Sequence, residues 1–180
     1  MTKYACVTGR FQPVHQQHLE LIEMALGRAE QAIIAITNPD AHSRHFNPAS
    51  SHRHTCEANP FSYFERLTLL DAALRARGWG DRIMVVPFDL TRSSCWTEYV
   101  PLEALQVVRV FSDWEREKAR LLRNAGYSVW ELRGDPATRL HASDIRIALS
   151  AEADWTRLVP DATIPLLRAM LAARSEVRTT

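Results

Sequence analysis

Glycine is scarce in this chain, six in 180 residues, and the glycine-rich loops of two large nucleotide-binding classes are missing. No Gly-Lys-Ser/Thr follows a glycine loop, which excludes a Walker motif, and GxGxxG is absent, which excludes the dinucleotide fingerprint. Cysteine is sparse as well. Cys6, Cys56 and Cys95 are odd in number and widely spaced, so they build neither a disulfide framework nor a zinc pattern, and a reducing cytoplasm is the expected compartment. Neither sign of charge dominates: 22 Lys and Arg against 21 Asp and Glu leave a formal net charge of +1, which argues against nucleic acid as the main partner. No apolar run approaches the ~20 residues that cross a bilayer. Met1-Thr2-Lys3 runs into an apolar stretch without a signal-peptide h-region, so no membrane association is expected. Internal repeats, low-complexity tracts and domain linkers are absent too. What remains, with 46% hydrophobic and 24% charged residues, is the composition of one globular domain over 1–180. Its C-terminal helical segment, 141–175, is expected to pack on the rest.

Against this background the stretch Gly9-Arg10-Phe11-Gln12-Pro13-Val14-His15-Gln16-Gln17-His18 stands out. It follows the apolar run Tyr4-Ala5-Cys6-Val7 and precedes an amphipathic run from Leu19, the layout of a strand, a tight loop and a helix start. In α/β sheets that loop binds phosphates, because the next helix offers unpaired N–H groups and the positive end of its dipole. Gly9 permits a turn or a close backbone approach that a Cβ would block. Arg10 adds a permanent charge and a planar fork of donors. His15 and His18 are three apart, so a helix beginning near His15 puts them on one face. A turn glycine and two surface histidines would be the plain alternative; their coincidence at one junction points to a polyphosphate site.

Taken in order, Tyr4 to Thr8 reads as a buried strand, Leu19 to Ala29 as a helix, and Gln31 to Thr37 as a second, β-branched strand. Strand, helix and strand in about thirty residues form a βαβ unit, which implies a parallel sheet. From Asn38 to Pro60 no periodicity survives, and four of the seven histidines (His42, His45, His52, His54) lie there. Such a loop is either a solvated polar segment or a substrate-closing lid. A zinc site on His52 and His54 lacks a cysteine pair or carboxylate at ligand spacing. Phe61 to Arg77 returns to helix, with Arg66 placed to reach a ligand or to pair with an acid. A third strand is expected at Arg82 to Phe88, a loop at Asp89 to Trp96, a short helix at Glu98 to Leu105, and a fourth strand at Gln106 to Phe111. A charged helix over Glu115 to Ala125 and a strand over Tyr127 to Leu132 follow. Ser143 is expected to cap a helix opening at His141-Ala142-Ser143-Asp144-Ile145-Arg146, where its hydroxyl and Arg146 make a second anion site. Trp155 to Ala173 reads as a helical tail. The fold class is α/β, a Rossmann-like three-layer sandwich with a mostly parallel sheet.

These residues resemble the nucleotidyltransferases of the HxGH class, and most of all the archaeal-type nicotinamide mononucleotide adenylyltransferases. Gly9 to His18 is similar to Gly-Arg-Phe-Gln-Pro-Phe-His-x-Gly-His, and Asn59 to Arg66 to Asn-Pro-Phe-Thr-x-x-Glu-Arg. Asp89 to Val100, with Trp96, resembles a tryptophan loop at a pyridine nucleotide site. His141 to Arg146 matches Ser-Gly-Thr-x-Ile-Arg loosely, and Trp155 to Pro160 matches the tail. The resemblance implies the nucleotidyltransferase (HUP-type) fold and transfer from a nucleoside triphosphate to a phosphate-bearing acceptor, with Mg²⁺ bridging phosphate oxygens and pyrophosphate leaving. It also implies that His15 and His18 steady the charge at the α-phosphate, while Arg10 and Arg146 hold the triphosphate and Ser143 assists. Gly9, Phe11, Gln12 and Ser112 complete the expected nucleotide side; Trp96, Asn38, Asp40, Arg66 and Asp89 form the expected acceptor side. A homo-oligomer is frequent in the family, although no stretch here marks an interface.

The departures fall on the acceptor side. Gln17 replaces the glycine between the histidines, Val14 a phenylalanine, Ser94 an asparagine, and the loop from Asn38 to Asn59 is longer and richer in histidine and arginine. Nicotinamide mononucleotide with ATP is the leading substrate pair, since an indole at Trp96 can stack on a pyridinium ring; a core or surface tryptophan is the other reading of that residue. A cytidylyltransferase using CTP on a phosphate or phosphonate of specialised metabolism is the second expectation, and a catalytically silent nucleotide sensor, motivated by Gln17, the third. A hydrolase using the histidine-rich loop is more distant.

Overall fold

Along β1 (Thr2–Gly9) successive side chains go to opposite sides, and both sides are buried: Ala5 and Val7 join one core, Cys6 the other. The same alternation runs through β2 (Ala29–Thr37), where Ala32, Ile34 and Ile36 face the first core and Ile33 and Ala35 the second. A strand apolar on both faces belongs in the middle of a covered parallel sheet. The computed structural model, which describes residues 1–46, 48, 54–151 and 153–178, places it there. Five strands, all parallel, lie in the order β3-β2-β1-β4-β5, with β3 at Ile83–Phe88, β4 at Leu105–Val110 and β5 at Val129–Arg133.

Helices α1 (Gln16–Leu26), α2 (Tyr63–Ala76), α4 (Ala142–Ser150) and α5 (Ile164–Arg178) cover one face, and α3 (Asp113–Asn124) the other. This is the expected three-layer sandwich. Several boundaries move for local reasons. The first helix starts three residues earlier than periodicity suggests, at the histidine motif, and ends before Gly27 because Thr2 pairs with Ala29 and draws that residue into β2. The segment expected as a helix from Glu98 to Leu105 is instead a 3-10 turn at Ser93–Glu98, and β4 begins at Leu105. Within the tail, regular helix begins only at Ile164, after 3-10 turns at Thr156–Leu158 and Asp161–Thr163 that flank Pro160.

The strand order reverses direction between β1 and β4, and there the ladder is short. Only Ala5↔Leu105 and Cys6↔Gln106 are paired, while β1 continues to Gly9 and β4 to Val110. Two strands that part at their carboxyl ends leave a crevice, the position where open α/β sheets bind ligands.

Candidate active site

A cavity of about 420 Å³ fills that crevice, within the range of small-ligand sites. Its walls come from the β1–α1 loop, the end of β4, the first turns of α3, and the segment leading into α4. Gly9, Arg10, Phe11, Gln12, His15, His18, Ser112, Ser143 and Arg146, nine of the residues expected from sequence, all line it.

The β1–α1 loop is built around one close contact. A Cβ on Gly9 would lie 2.9 Å from the Phe11 ring, so a glycine is needed for Phe11 to fold back at φ 51°. Phe11 is buried, 4.7 Å from the His18 ring between centroids. His15 then ends the loop as the N-cap of α1 in extended backbone, and His18 sits three residues on. Their rings stack at 3.6 Å, inclined by 24°. The His15 N–H donates to His18 Nδ1 at 3.2 Å. A neutral imidazole that accepts at Nδ1 carries its proton at Nε2, so His18 is set as a donor through Nε2.

Charge reinforces that state. Burial pushes the His15 imidazole down to about 3, followed by the Arg139 charge. Burial also holds His18 well below its ordinary value, followed by the charge of His15 and then Lys118. Both are neutral donors at neutral pH. Around them stand Arg10, Arg109, Lys118, Arg139 and Arg146, with Glu115 as the acid of the cavity wall. A chain of nearly zero net charge thus sets five of its 22 Lys and Arg side chains, with a single acid, around one cavity.

The hydrogen bonds show which of these groups are already committed. Arg10 donates to the Ala58 carbonyl at 3.2 Å and Arg146 to the Gln12 carbonyl at 2.9 Å, and burial lowers the Arg146 guanidinium. Both line the cavity, and Arg146 keeps further guanidinium donors on it. Gln12 is buried, and its amide pairs with both the N–H and the carbonyl of Phe61 at 2.9 Å, so it fastens the loop entering α2 and does not serve a phosphate. Ser112 is the N-cap of α3 and gives its hydroxyl to Glu115 at 2.6 Å. Ser143 is exposed on the first turn of α4, whose N-cap is His141; the helix starts one residue before the expected hydroxyl cap because Asp144 N–H already bonds the His141 carbonyl.

None of the five acceptor-side residues lines this cavity. Trp96 is buried, tilted against Phe88 at 5.4 Å and Tyr127 at 6.4 Å, and its indole N–H donates to the Asp89 carbonyl at 2.7 Å. It closes the second core, and Asp89 shapes the turn it caps by accepting from Thr91. Arg66 is fully buried and holds backbone carbonyls, including those of Thr37, Asn38 and Arg10, at 2.7, 2.8 and 3.0 Å. Asn38 takes φ 51° and reaches Asn59, while Asp40 closes a turn on Ser43. Trp96→Phe is accordingly expected to lower stability by about 1–2 kcal/mol through the lost indole hydrogen bond and ring volume. Nucleotide affinity should stay unchanged; a loss of affinity at full stability, read by calorimetry and thermal melting together, would return Trp96 to the ligand.

Five contributors were not assigned a site role from sequence: Arg109 and Arg139, and with them Lys118, Glu115 and Gln17. Lys118, buried on the inward face of α3, donates to the Thr8 carbonyl at 3.3 Å, within the gap where β1 and β4 part. Glu115, one turn earlier on the same face, pairs with Arg139 at 2.8 Å. Gln17 reaches the backbone before α4. Residues 47, 49–53, 152 and 179–180 fall outside the described residues, and with His52 so does half of the zinc pair; His54 lies edge-on to Phe46. Among the described residues no group of three His, Cys, Asp or Glu is placed to hold a metal, and no helix is long and apolar enough to cross a membrane.

A doubly covered parallel sheet with a cation-rich cavity at its switch point, and two neutral histidines at a helix start, defines a nucleotide-handling α/β protein. Residues 6–180 match the cytidylyltransferase-like family model, and the chain belongs to that family of nucleotidyltransferases. It is 27% identical over 166 residues to a phosphonoformate cytidylyltransferase of Streptomyces viridochromogenes, covering 90% of this chain and 89% of the other. It is also 29% identical over 161 residues to a nicotinamide-nucleotide adenylyltransferase of Pyrococcus horikoshii, covering 89% and 80%. In fold it resembles a bifunctional NMN adenylyltransferase/ADP ribose pyrophosphatase from Francisella tularensis, with a TM-score of 0.73 at 18% identity over 96% of this chain; the chain spans half the length of that protein.

Proposed function

We propose that this protein transfers a nucleoside monophosphate from a Mg²⁺-bound nucleoside triphosphate to a compact phosphorus oxyanion, with CTP and a phosphonate as the leading pair. The observation that carries the transfer is the stacked His15–His18 pair beside a ring of cations. An acceptor oxygen attacks the α-phosphorus in line; the new O–P bond forms as the bond to the β-phosphate bridging oxygen breaks, and its electron pair leaves with pyrophosphate. Charge builds on the α-phosphate oxygens in that step, and the chain supplies fixed donors for it: His18 through Nε2, with Arg10 and Arg146 on the polyphosphate. Glu115, bonded to Ser112 and Arg139, is not offered to a metal. Mg²⁺ would come with the triphosphate as part of the substrate and would offset its charge.

The acceptor follows from Trp96. With that indole in the core, the reason for a pyridinium ring falls away, and the name of the Streptomyces relative supplies a small acceptor instead. Nicotinamide mononucleotide with ATP is the second reading, favoured by archaeal relatives such as the Pyrococcus protein. Pyrophosphate release with Mg²⁺ decides between them: CTP with phosphonoformate should release it, and ATP with nicotinamide mononucleotide should not. The reverse pattern establishes the second reading, and no release with either pair points to a sensor.

The histidines add a pH test. An anion brought against imidazoles that have expelled their protons raises their pKa values. From a start of about 3 at His15, and with His18 also held low, that gain is confined to acid solution, and CTP affinity should owe nothing to the pair's titration between pH about 8 and 7. Calorimetry in buffers of different ionisation enthalpy measures this; uptake of most of a proton at pH about 7 would contradict a neutral pair.

A further inference from the structure

The position filled by glycine in the resembling motif is Gln17 here, and its side chain has a task. Its amide N–H donates to the Thr138 carbonyl at 2.6 Å, and its carbonyl accepts from the Leu140 N–H at 2.9 Å. One primary amide thus clasps the backbone on both sides of Arg139, across more than a hundred residues of sequence. Arg139 is held from other directions as well. Its Nη2 meets Glu115 at 2.8 Å, and its guanidinium carbon lies 4.9 Å from the centre of the Phe111 ring. Glu115 is in turn fixed by the N–H and hydroxyl of Ser112 at 2.9 and 2.6 Å. Gly134 completes the mount, since a Cβ there would collide with Phe111. The other guanidinium donors of Arg139 remain for a ligand on the cavity it lines.

We propose that Gln17 is a positioning residue of the anion site, holding residues 138–140 against the start of α1 so that Arg139 is set as a contact for the triphosphate. Planar guanidinium donors bind phosphate oxygens well only when their orientation is fixed in advance. With glycine at position 17 the 138–140 backbone would have only water to bond to at that point, and Arg139 would have to be ordered when the ligand binds. The Arg139 charge lowers His15 next after burial, in agreement with its place beside the pair. The inference rests on the transfer reading for the identity of the anion.

The test is binding of inorganic tripolyphosphate, and of CTP with Mg²⁺, to the full chain by calorimetry. Gln17→Ala should weaken tripolyphosphate by about tenfold, and where turnover is measurable KM for CTP should rise by a similar factor with kcat changed by less than about threefold. Gln17→Glu, which keeps the acceptor for Leu140 but loses the donor to Thr138, should behave like the alanine variant; it also serves if that variant fails to fold. The decisive arm is the pair of substitutions: in an Arg139→Ala background Gln17→Ala should cost nothing further. Additive losses, unchanged tripolyphosphate affinity, or a fall in melting temperature as the sole effect would each overturn the proposal. Failure of all acceptors to release pyrophosphate, with the binding pattern intact, would sink the transfer reading and leave the role of Gln17 standing.

Discussion

Replacing His18 with asparagine is expected to lower kcat by about a hundredfold or more, with the fold intact. The two ring nitrogens of His18 do different work, which makes the choice of asparagine informative. Nδ1 accepts the His15 N–H at the helix start, and an asparagine carbonyl can take that place. Nε2–H, the donor offered to the developing oxyanion, has no counterpart in asparagine. His18→Gln is the complement: its longer amide reaches toward the Nε2 position, so it should recover part of the lost rate. Affinity for CTP should change less than kcat in both, because a donor that tightens only on the transition state raises the rate and not the affinity. Steady-state kinetics beside a thermal melt checks this, and an asparagine variant with near-normal kcat would remove His18 from the chemistry.

The second large effect concerns stability. Arg66→Met is expected to destabilise the protein by about 3–5 kcal/mol, because it keeps much of the volume and deletes every donor to a group of buried carbonyls. In a chain of this size that corresponds to a melting temperature lower by about 10 °C. The guanidinium is pushed down to about 10 by burial, so it stays charged at neutral pH. Its charge is met by carbonyl dipoles of Arg10, Thr37, Asn38, Pro39 and Ser62, where three segments of chain converge. Lysine cannot substitute, since a single ammonium lacks the planar fork that reaches several acceptors at once. Reduced nucleotide affinity at an unchanged melting temperature would contradict this and make Arg66 a ligand residue.

How much of this was legible beforehand depended on whether a residue's partner was near in sequence. The strands were readable, because β-branched runs such as Ile33, Ile34 and Ile36 can satisfy both faces only inside a sheet. The β1–α1 loop was readable for the same reason: glycine, arginine and two histidines act within ten residues of one another. Trp96 was ambiguous, since an indole suits a core as well as a ring ligand, and only its packing on Phe88 and Tyr127 and its bond to the Asp89 carbonyl separate the two. Glu115 and Lys118 were hidden in a helix rich in charge. Their inward direction becomes apparent with Ala119 and Leu122, which share their face. Gln17 was visible as an oddity, but its meaning lies at Thr138 and Leu140, and no local pattern points there.

The way residues 38–60 are tied down has a consequence for how such a frame changes over time. Arg66 grips the chain where this segment leaves β2, and Gln12 grips it at Phe61 where it enters α2. Both ends are thus moored independently of whatever lies between. Exchanges between the two moorings therefore transmit little displacement to the sheet or to the histidine pair, and reach the cavity chiefly through Arg10, which donates to the Ala58 carbonyl.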